Sequence, residues 1–354
     1  MTPPLRVALV GYGAGGRYFH APFIEAAVDV ELASVVTRSP ERRAQLAEDH
    51  PGVPAVDDLS EALALDPDLV VITTPPETRR ALVLQTVAAG IPIVADKPFA
   101  PDAVVARELR DAADAAQVPL GVFYNRRWDG DIRTVSRVID SGRLGTIQRF
   151  SSRFDLDEPG TLEAAPGGGL LRDLGSHLVD QALWLFGPVS TVYAELDWRD
   201  SSAGAVDAGF VVSLGHACGV RSLLSASKVN RAEQRELRVL GTSGSFRSDG
   251  TDVQAKASLA GRRPTTDPDW GLERESRWGI ISVADGREPV PSERGAYQEY
   301  YSAVAAALRS GTTLPVPAGD GVAVADVLDA ARTSDTRRQV VSLPPLTATP
   351  PASH

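Results

Sequence analysis

The stretch Val7-Ala8-Leu9-Val10-Gly11-Tyr12-Gly13-Ala14-Gly15-Gly16 decides how this chain folds. Four apolar residues run into G-x-G-x-x-G, and a helical pattern over residues 17–27 follows. Gly11 permits a tight turn, Gly13 lets the backbone approach a pyrophosphate, and Gly16 lets a helix pack closely on the strand. The helix start then offers N–H groups and a positive dipole end to phosphates. A lone glycine pattern of this kind can be a mere tight turn. Here it follows a strand, opens a helix and begins a strand–helix series, so it reads as a dinucleotide-binding loop.

Outward from the loop, short apolar runs at 6–10, 31–37, 69–73, 93–96 and 120–123 alternate with helical patterns at 17–27, 40–49, 79–89 and 102–116. Such runs read as strands buried on both faces, and the alternation as a doubly wound parallel sheet. Gly90 stands where a helix should stop. After about Asn125 the texture changes. A helix at 129–141 and a strand at 147–154 lead through a Gly-rich turn to a helix at 174–186. Runs at 192–197, 208–214, 220–227 and 236–241, separated by Gly and Asp, then suggest an antiparallel sheet. Helical patterns at 296–308 and 321–332 follow, and the tail is rich in Pro, Thr and Ala. The predicted class is α/β: an N-terminal Rossmann domain with a doubly wound parallel sheet over 1–124, a substrate-binding and oligomerisation α/β domain with a large, mostly antiparallel sheet over 125–343, and a flexible tail over 344–354.

Composition narrows the function. With 354 residues, 43% hydrophobic and 23% charged, the chain has the make-up of a soluble globular protein of two domains. A formal charge of −10 argues against nucleic acid or an anionic membrane as partner. The single cysteine, Cys218, fits a reducing compartment. No apolar run approaches the roughly 20 residues of a membrane span, and no basic, then hydrophobic leader follows Met1. A cytoplasmic protein is expected.

Which dinucleotide binds is read at the end of the second strand, Val35-Val36-Thr37-Arg38-Ser39. An acid there would bind the adenosine ribose of NAD and repel a 2′-phosphate. There is none. Arg38 can pair with a 2′-phosphate, and Thr37 and Ser39 can donate to it, so NADP(H) is favoured, with NAD left open. The plainer alternative is that Arg38 is a solvated loop residue.

Two further groups carry chemistry. The run Ile93-Val94-Ala95-Asp96-Lys97-Pro98 puts Lys97 at the carboxyl end of a parallel strand, where ligands bind in such sheets. Downstream, Gly167-Gly168-Gly169 precedes Asp173 and His177, which are four apart and share a helix face. Histidine suits proton abstraction from an alcohol near neutral pH. Asp173 could be a cap and His177 a satisfied core residue. Beside Lys97 and the glycine loop, the functional reading is preferred.

Together these residues resemble the glucose–fructose oxidoreductase / inositol dehydrogenase / rhizopine-catabolism (Gfo/Idh/MocA) family over nearly the whole chain. The motifs are the glycine loop, Thr74-Pro75, Asp96-Lys97-Pro98 and the Gly-Gly-Gly…Asp173…His177 stretch. Phe19-His20-Ala21-Pro22, Tyr124-Asn125-Arg126-Arg127-Trp128-Asp129, Asp269-Trp270-Gly271, Tyr297 and Tyr300-Tyr301 give it the look of the NADP-dependent scyllo-inositol dehydrogenase-like members. The resemblance implies an NAD(P)-dependent dehydrogenase or reductase acting on the CH–OH group of a polyol, inositol or sugar. Lys97, Asp173 and His177 would be catalytic, with His177 the general base. Gly11, Gly13, Gly16, Thr37, Arg38, Ser39, Thr74, Pro75, Asp96 and Lys97 would bind cofactor, and Asn125 and Arg126 would face substrate. It also implies a homodimer or homotetramer joined through the large sheet, whose outer face should then be apolar and covered.

This chain departs from the family pattern at three places. Arg79 replaces the usual His after Thr74-Pro75, Asp96 replaces Glu, and the segment 157–166 lacks the relatives' Trp-Arg pair. A non-catalytic dinucleotide sensor or scaffold on the same fold is the alternative. A metal hydrolase built on His20 and His177 lacks ligand spacing, so no metal is expected. His50, His216 and His354 read as surface or loop residues without a role, and Cys218 as an unreactive thiol.

Overall fold

The computed structural model describes residues 3–163, 168–201, 204–250 and 252–344. They form two compact units.

The first unit contains six strands: β1 (Leu5–Val10), β2 (Val30–Val36), β3 (Ala55–Val56), β4 (Leu69–Ile72), β5 (Ile93–Asp96) and β6 (Leu120–Phe123). All pair in parallel, in the order β3-β2-β1-β4-β5-β6. Val7, Ala8, Leu9 and the whole of β4 are buried, which is why these strands read as unbroken apolar runs. The connecting helices are α1 (Ala21–Ala26), α2 (Pro40–Asp49), α3 (Leu59–Leu63), α4 (Pro76–Ala88) and α5 (Ala103–Ala116). Ser39 caps α2 by accepting from Arg42 N–H, and Asp102 caps α5 through Val105 N–H. Gly90, at φ +72°, takes the left-handed conformation just past the end of α4. The two-residue β3 and five-residue α3 escaped the sequence pattern because neither is long enough to show a period.

The second unit opens with α6 (Gly130–Asp140), β7 (Ile147–Asp157) and α7 (Leu170–Phe186), followed by β8 (Val189–Ser201), β9 (Gly204–His216), β10 (Arg221–Ser227), β11 (Val229–Gly241) and β12 (Gly244–Ser248). Next in the chain come α8 (Val253–Leu259), of the first unit, β13 (Gly279–Val283) and β14 (Gly286–Val290), of the second, α9 (Gln298–Ser310), of the first, then α10 (Ala318–Arg337), which passes from the first to the second, and β15 (Val341–Ser342). The nine-stranded sheet runs β14-β13-β12-β11-β7-β10-β9-β8-β15, antiparallel throughout except for β7 beside β10. This is the α/β class with a parallel and a mostly antiparallel sheet. The expected flexible tail lies, from residue 345 on, outside the described residues.

The inner face of the large sheet presents Phe150, Phe210, Val212, Leu224, Leu237 and Val239, all buried. The helix α7 packs on β9 and β10, and Gly175 brings its backbone against Phe210. The outer face corrects the expectation of an apolar surface. Val211 is 57% and Leu223 40% exposed, but Arg149, Arg221, Arg238 and Arg247 stand exposed on neighbouring strands. Strict alternation along each strand reserves apolar residues for the face under α7 and leaves the other mixed.

The chain does not divide at one point. Asp252–Gly271 and Gly295–Val322 belong with Met1–Trp128 in the first unit. Aromatic packing holds them there: Tyr300 meets Phe123 edge-on at 4.9 Å and donates its hydroxyl to Val122 O at 3.0 Å, and Trp270 packs on Phe23 at 5.6 Å.

Candidate active site

In the first unit the glycine loop has the shape a dinucleotide needs. Gly11 lies at φ +103°, and a Cβ there would sit 2.7 Å from Thr73 Oγ1. A Cβ on Gly16 would fall 2.1 Å from Gly11 O, so this glycine lets the helix start press on the turn. The three atoms nearest to where a Cβ on Gly13 would stand belong to the Arg42 guanidinium, the closest at 3.7 Å. The Thr73 hydroxyl pins the turn by donating to Val10 O and Gly11 O at 3.1 and 3.0 Å. Thr74 Oγ1 is buried with no hydrogen-bond partner, a polar atom that a bound ligand would satisfy. An open glycine cradle, a nearby guanidinium and an orphaned hydroxyl fit a nicotinamide dinucleotide. From Gly15 to His20 the helix runs as a π-turn, a form that recurs at functional sites.

At the end of β2, Arg38 is exposed and donates through Nε to Asp57 O at 3.1 Å. Thr37 is buried, with its carbonyl accepting from Arg43 Nε at 3.0 Å, and Ser39 is committed as the cap of α2. One turn after Arg38, Arg42 brings a second cation to the same loop. Sequence reading missed it, although its place in the first turn of the helix that follows β2 was available as a signal.

The end of β5 is a dense polar junction. The Asp96 carboxylate lies 3.3 Å from where a Cβ on Gly15 would stand, so the glycine loop and Asp96-Lys97 adjoin. Its Oδ1 accepts from Lys97 N–H at 2.7 Å and meets His20 Nε2 at 3.3 Å, and His20 Nδ1 is 2.5 Å from the Tyr301 hydroxyl. Burial pushes the Asp96 carboxyl up, but His20, Arg79 and Lys97 outweigh it and hold the group below the usual carboxylate range. Arg79 is buried and explains its own departure from the family pattern. Its guanidinium donates to Asp96 O, Pro98 O, Phe99 O and Thr74 O, a set of carbonyls that a two-nitrogen imidazole could not serve. The Lys97–Pro98 peptide is cis. Among the residues expected to face substrate, buried Arg126 pairs with Asp252 at 2.7 Å, and Asn125 is buried beside it in the chain.

In the second unit, α7 begins four residues earlier than its pattern suggested, with Gly169 as its N-cap at φ +107°. Asp173 and His177 therefore stand in its first two turns. His177 is 4% exposed. The Asp173 side chain is 26% exposed and meets Lys228 Nζ at 2.9 Å. The helix start is held by Asp207, whose Oδ2 accepts from Leu171 N–H at 2.6 Å and whose Oδ1 fills the space a Cβ on Gly169 would need. Gly167, the first of the three glycines, lies outside the described residues. Among the described residues no three His, Cys, Asp or Glu gather as a metal site, and no helix is long and apolar enough to cross a membrane.

Residues 5–124 match the model of an oxidoreductase family with an NAD-binding Rossmann fold, and residues 132–247 match the GFO/IDH/MocA C-terminal domain. The chain is also similar to scyllo-inositol 2-dehydrogenase (NADP(+)) IolW of Bacillus subtilis (strain 168), 30% identical over 350 residues and 96% of each chain. The protein belongs to the Gfo/Idh/MocA oxidoreductase family. Another relative is the uncharacterized oxidoreductase YdgJ of Escherichia coli (strain K12), 33% identical over 355 residues, 97% of this chain and 100% of that one. The solved structure of the oxidoreductase yvaA from Bacillus subtilis superposes with a TM-score of 0.89 at 29% identity, covering 97% of this chain and 99% of that one.

Within this Gfo/Idh/MocA chain two histidine readings need correction. His50 and His216 are both buried rather than on the surface. His216 ends β9 with Nδ1 2.9 Å from Gly187 O and Nε2 2.8 Å from Ser222 Oγ, and His50 Nδ1 lies 3.7 Å from Glu25. Pro51-Gly52 after His50 and the Gly-flanked turn after His216 hid long-range packing. His354 lies outside the described residues. Besides Arg42, sequence reading of this oxidoreductase missed Lys228 and Asp207. Neither stands in a motif, and only the sheet brings them to α7.

Proposed function

We propose that this oxidoreductase is an NADP(H)-dependent dehydrogenase or reductase that acts on a CH–OH group of a polyol, inositol or sugar-like substrate. The observation that carries the reading is the junction in the first unit, where the glycine cradle adjoins Asp96-Lys97. A dinucleotide held by Gly11, Gly13, Gly16, Thr74 and Pro75 would thereby lie beside the end of β5, where Lys97 follows Asp96. The bound nicotinamide supplies the hydride acceptor in oxidation and the donor in reduction. Lys97 stabilises the negative charge that grows on the substrate oxygen. His177 takes the hydroxyl proton as general base, and Asp173 orients substrate and base. Thr37, Arg38 and Ser39, joined by Arg42, recognise the 2′-phosphate, and Asn125 and Arg126 face the substrate side. The relative named as an NADP(+) scyllo-inositol dehydrogenase supports both the cofactor and the substrate class. We place the enzyme in the cytoplasm as a homodimer or homotetramer, with Val211 and Leu223 on the outer sheet face as the apolar part of the contact.

The test is absorbance at the reduced-nicotinamide band, with NADP⁺ and NAD⁺ each offered against inositols, sugars and sugar lactones. Turnover of at least one polyol, with higher kcat/KM for NADP⁺, is expected. Preference for NAD⁺ would overturn the role of the β2 end. Tight cofactor binding with no turnover on any polyol or sugar would favour the sensor alternative.

A further inference from the structure

Lys228 is the one residue between β10 and β11, and it is 5% exposed. A lysine so deeply placed is costly unless its charge is paired and its donors are used. Here both conditions hold. Nζ donates to Asp173 Oδ2 at 2.9 Å and to Thr161 O at 3.3 Å. The backbone of the same residue donates to Ala208 O at 3.1 Å and accepts from Glu158 N–H at 3.1 Å. One residue thus ties three separate pieces of the second unit: β9, the short turn Pro159–Thr161, and the first turn of α7.

The exposures give the arrangement a direction. The Asp173 side chain is 26% exposed, whereas that of Lys228 is 7%. A ligand can therefore reach the carboxylate more readily than the ammonium, which backs it. We propose that Lys228 is a positioning residue: it fixes the Asp173 carboxylate through Oδ2 and docks the Pro159–Thr161 turn beside it. The inference rests on the reading that Asp173 serves the reaction. A partly exposed aspartate side chain has two soft torsions, and a charge-assisted hydrogen bond removes most of that freedom. Binding the turn with the same ammonium makes the wall near Asp173 part of the same rigid unit.

The experiment compares Lys228→Met, Lys228→Arg, Asp173→Asn and the double variant Lys228→Met/Asp173→Asn in NADP⁺-driven oxidation of scyllo-inositol. Asp173→Asn is expected to lose at least a hundredfold in kcat. Lys228→Met should lose about tenfold in kcat with the KM for NADP⁺ unchanged, and the double variant should be no slower than Asp173→Asn. Lys228→Arg should recover to within about threefold of the parent, because a guanidinium keeps the charge and the donors. Wild-type kcat in Lys228→Met beside an inactive Asp173→Asn sinks the inference and spares the catalytic reading. An active Asp173→Asn sinks both. A second readout needs no substrate: amide hydrogen exchange of the intact, ligand-free protein. In Lys228→Met, peptides over 156–163 and 168–175 should both exchange about tenfold faster, with Lys228→Arg close to the parent. Unchanged exchange in either peptide removes the clamp.

Discussion

The glycine-loop side of the first unit and the first turn of α7 in the second, the two regions to which we assign chemistry, are built from different materials. At the glycine loop the backbone is the working surface. Gly11 and Gly16 are specified by φ and by a carbonyl 2.1 Å from where a Cβ would be, requirements that a short motif states completely. At α7 the working atoms are side chains, and their neighbours come from far along the chain. Asp173 meets Lys228 across 55 residues, and Leu171 N–H meets Asp207 across 36. A backbone site travels with its own sequence, whereas a side-chain site is completed by the sheet behind it.

The largest expected effect lies at the strand end that adjoins the loop. Lys97→Ala should lower kcat about a thousandfold, the scale of removing a positioned charge or proton-transfer group. NADPH affinity, read by quenching of protein fluorescence, should change by no more than a few fold. Full turnover in this variant would show that the first unit contributes binding alone. Next comes the β2 end. Arg38→Ala and Arg42→Ala should each reduce kcat/KM for NADP⁺ about tenfold or more, since a hydrogen bond to a charged group contributes about 1.5–3 kcal/mol. Activity with NAD⁺ should hold steady. If Arg42→Ala leaves the NADP⁺ preference intact, the cation that sequence reading passed over has no part in cofactor choice.

Most of the fold was legible because its strands are long enough to show a pattern. The parallel strands β4, β5 and β6 and the end of β1 are buried on both faces, and the alternation of β7 to β11 stands out against polar turns. Two kinds of element were not: β3, with two residues, and β13 and β14, which lie in a stretch rich in Arg and Glu and are less buried than the equally short β4 to β6. The return of Gly295–Val322 to the first unit was invisible for another reason. Tyr300 and Tyr301 looked like a motif of the helix they stand on, yet their partners are Phe123 and His20, the latter 281 residues from Tyr301. The candidate site divides the same way. Lys97, Asp173 and His177 could be named from local spacing, but Arg79, Lys228 and Asp207 do their holding through tertiary contacts that spacing does not encode.

Helix starts allow the two regions to be compared in stability. The helix α2 is capped by its own neighbour Ser39, while α7 borrows the carboxylate of Asp207 from β9. Ser39→Ala should cost about 1 kcal/mol, the usual scale of a lost cap. Asp207→Ala should cost about 1–3 kcal/mol, because a buried N–H is left without an acceptor. Burial pushes the Asp207 carboxyl up, against the pull of Leu171 N–H and Arg332, so Asp207→Asn, which keeps an acceptor and removes the charge, should fall well short of the alanine loss. Urea unfolding followed by circular dichroism measures all three. Equal losses for Ser39→Ala and Asp207→Ala would mean that the borrowed cap is no more deeply tied than the local one.

The smallest expected effect is the pH response, for which each unit carries a buried histidine whose folded pKa is lowered, His50 in the first and His216 in the second. Burial lowers His216, partly offset by the Gly187 carbonyl, and lowers His50, partly offset by Glu25. Both unfolded values stand at 6.5. A histidine whose folded pKa is depressed favours the neutral form, so the folded state binds fewer protons than the unfolded chain between the two values. Its stabilising contribution is whole above 6.5 and is lost as the pH falls through the folded pKa. The urea midpoint should therefore drop between pH 7 and pH 5 beyond what the carboxylates cause. His216→Asn, which cannot charge, should flatten that drop even though it loses packing. His50→Asn should flatten it less, because the Glu25 carboxylate 3.7 Å away already favours the imidazolium there. If neither variant changes the slope, these two histidines have no part in the acid response; carboxylates such as Asp49 and Asp96, whose folded values are held low, lose their stabilisation only below that window.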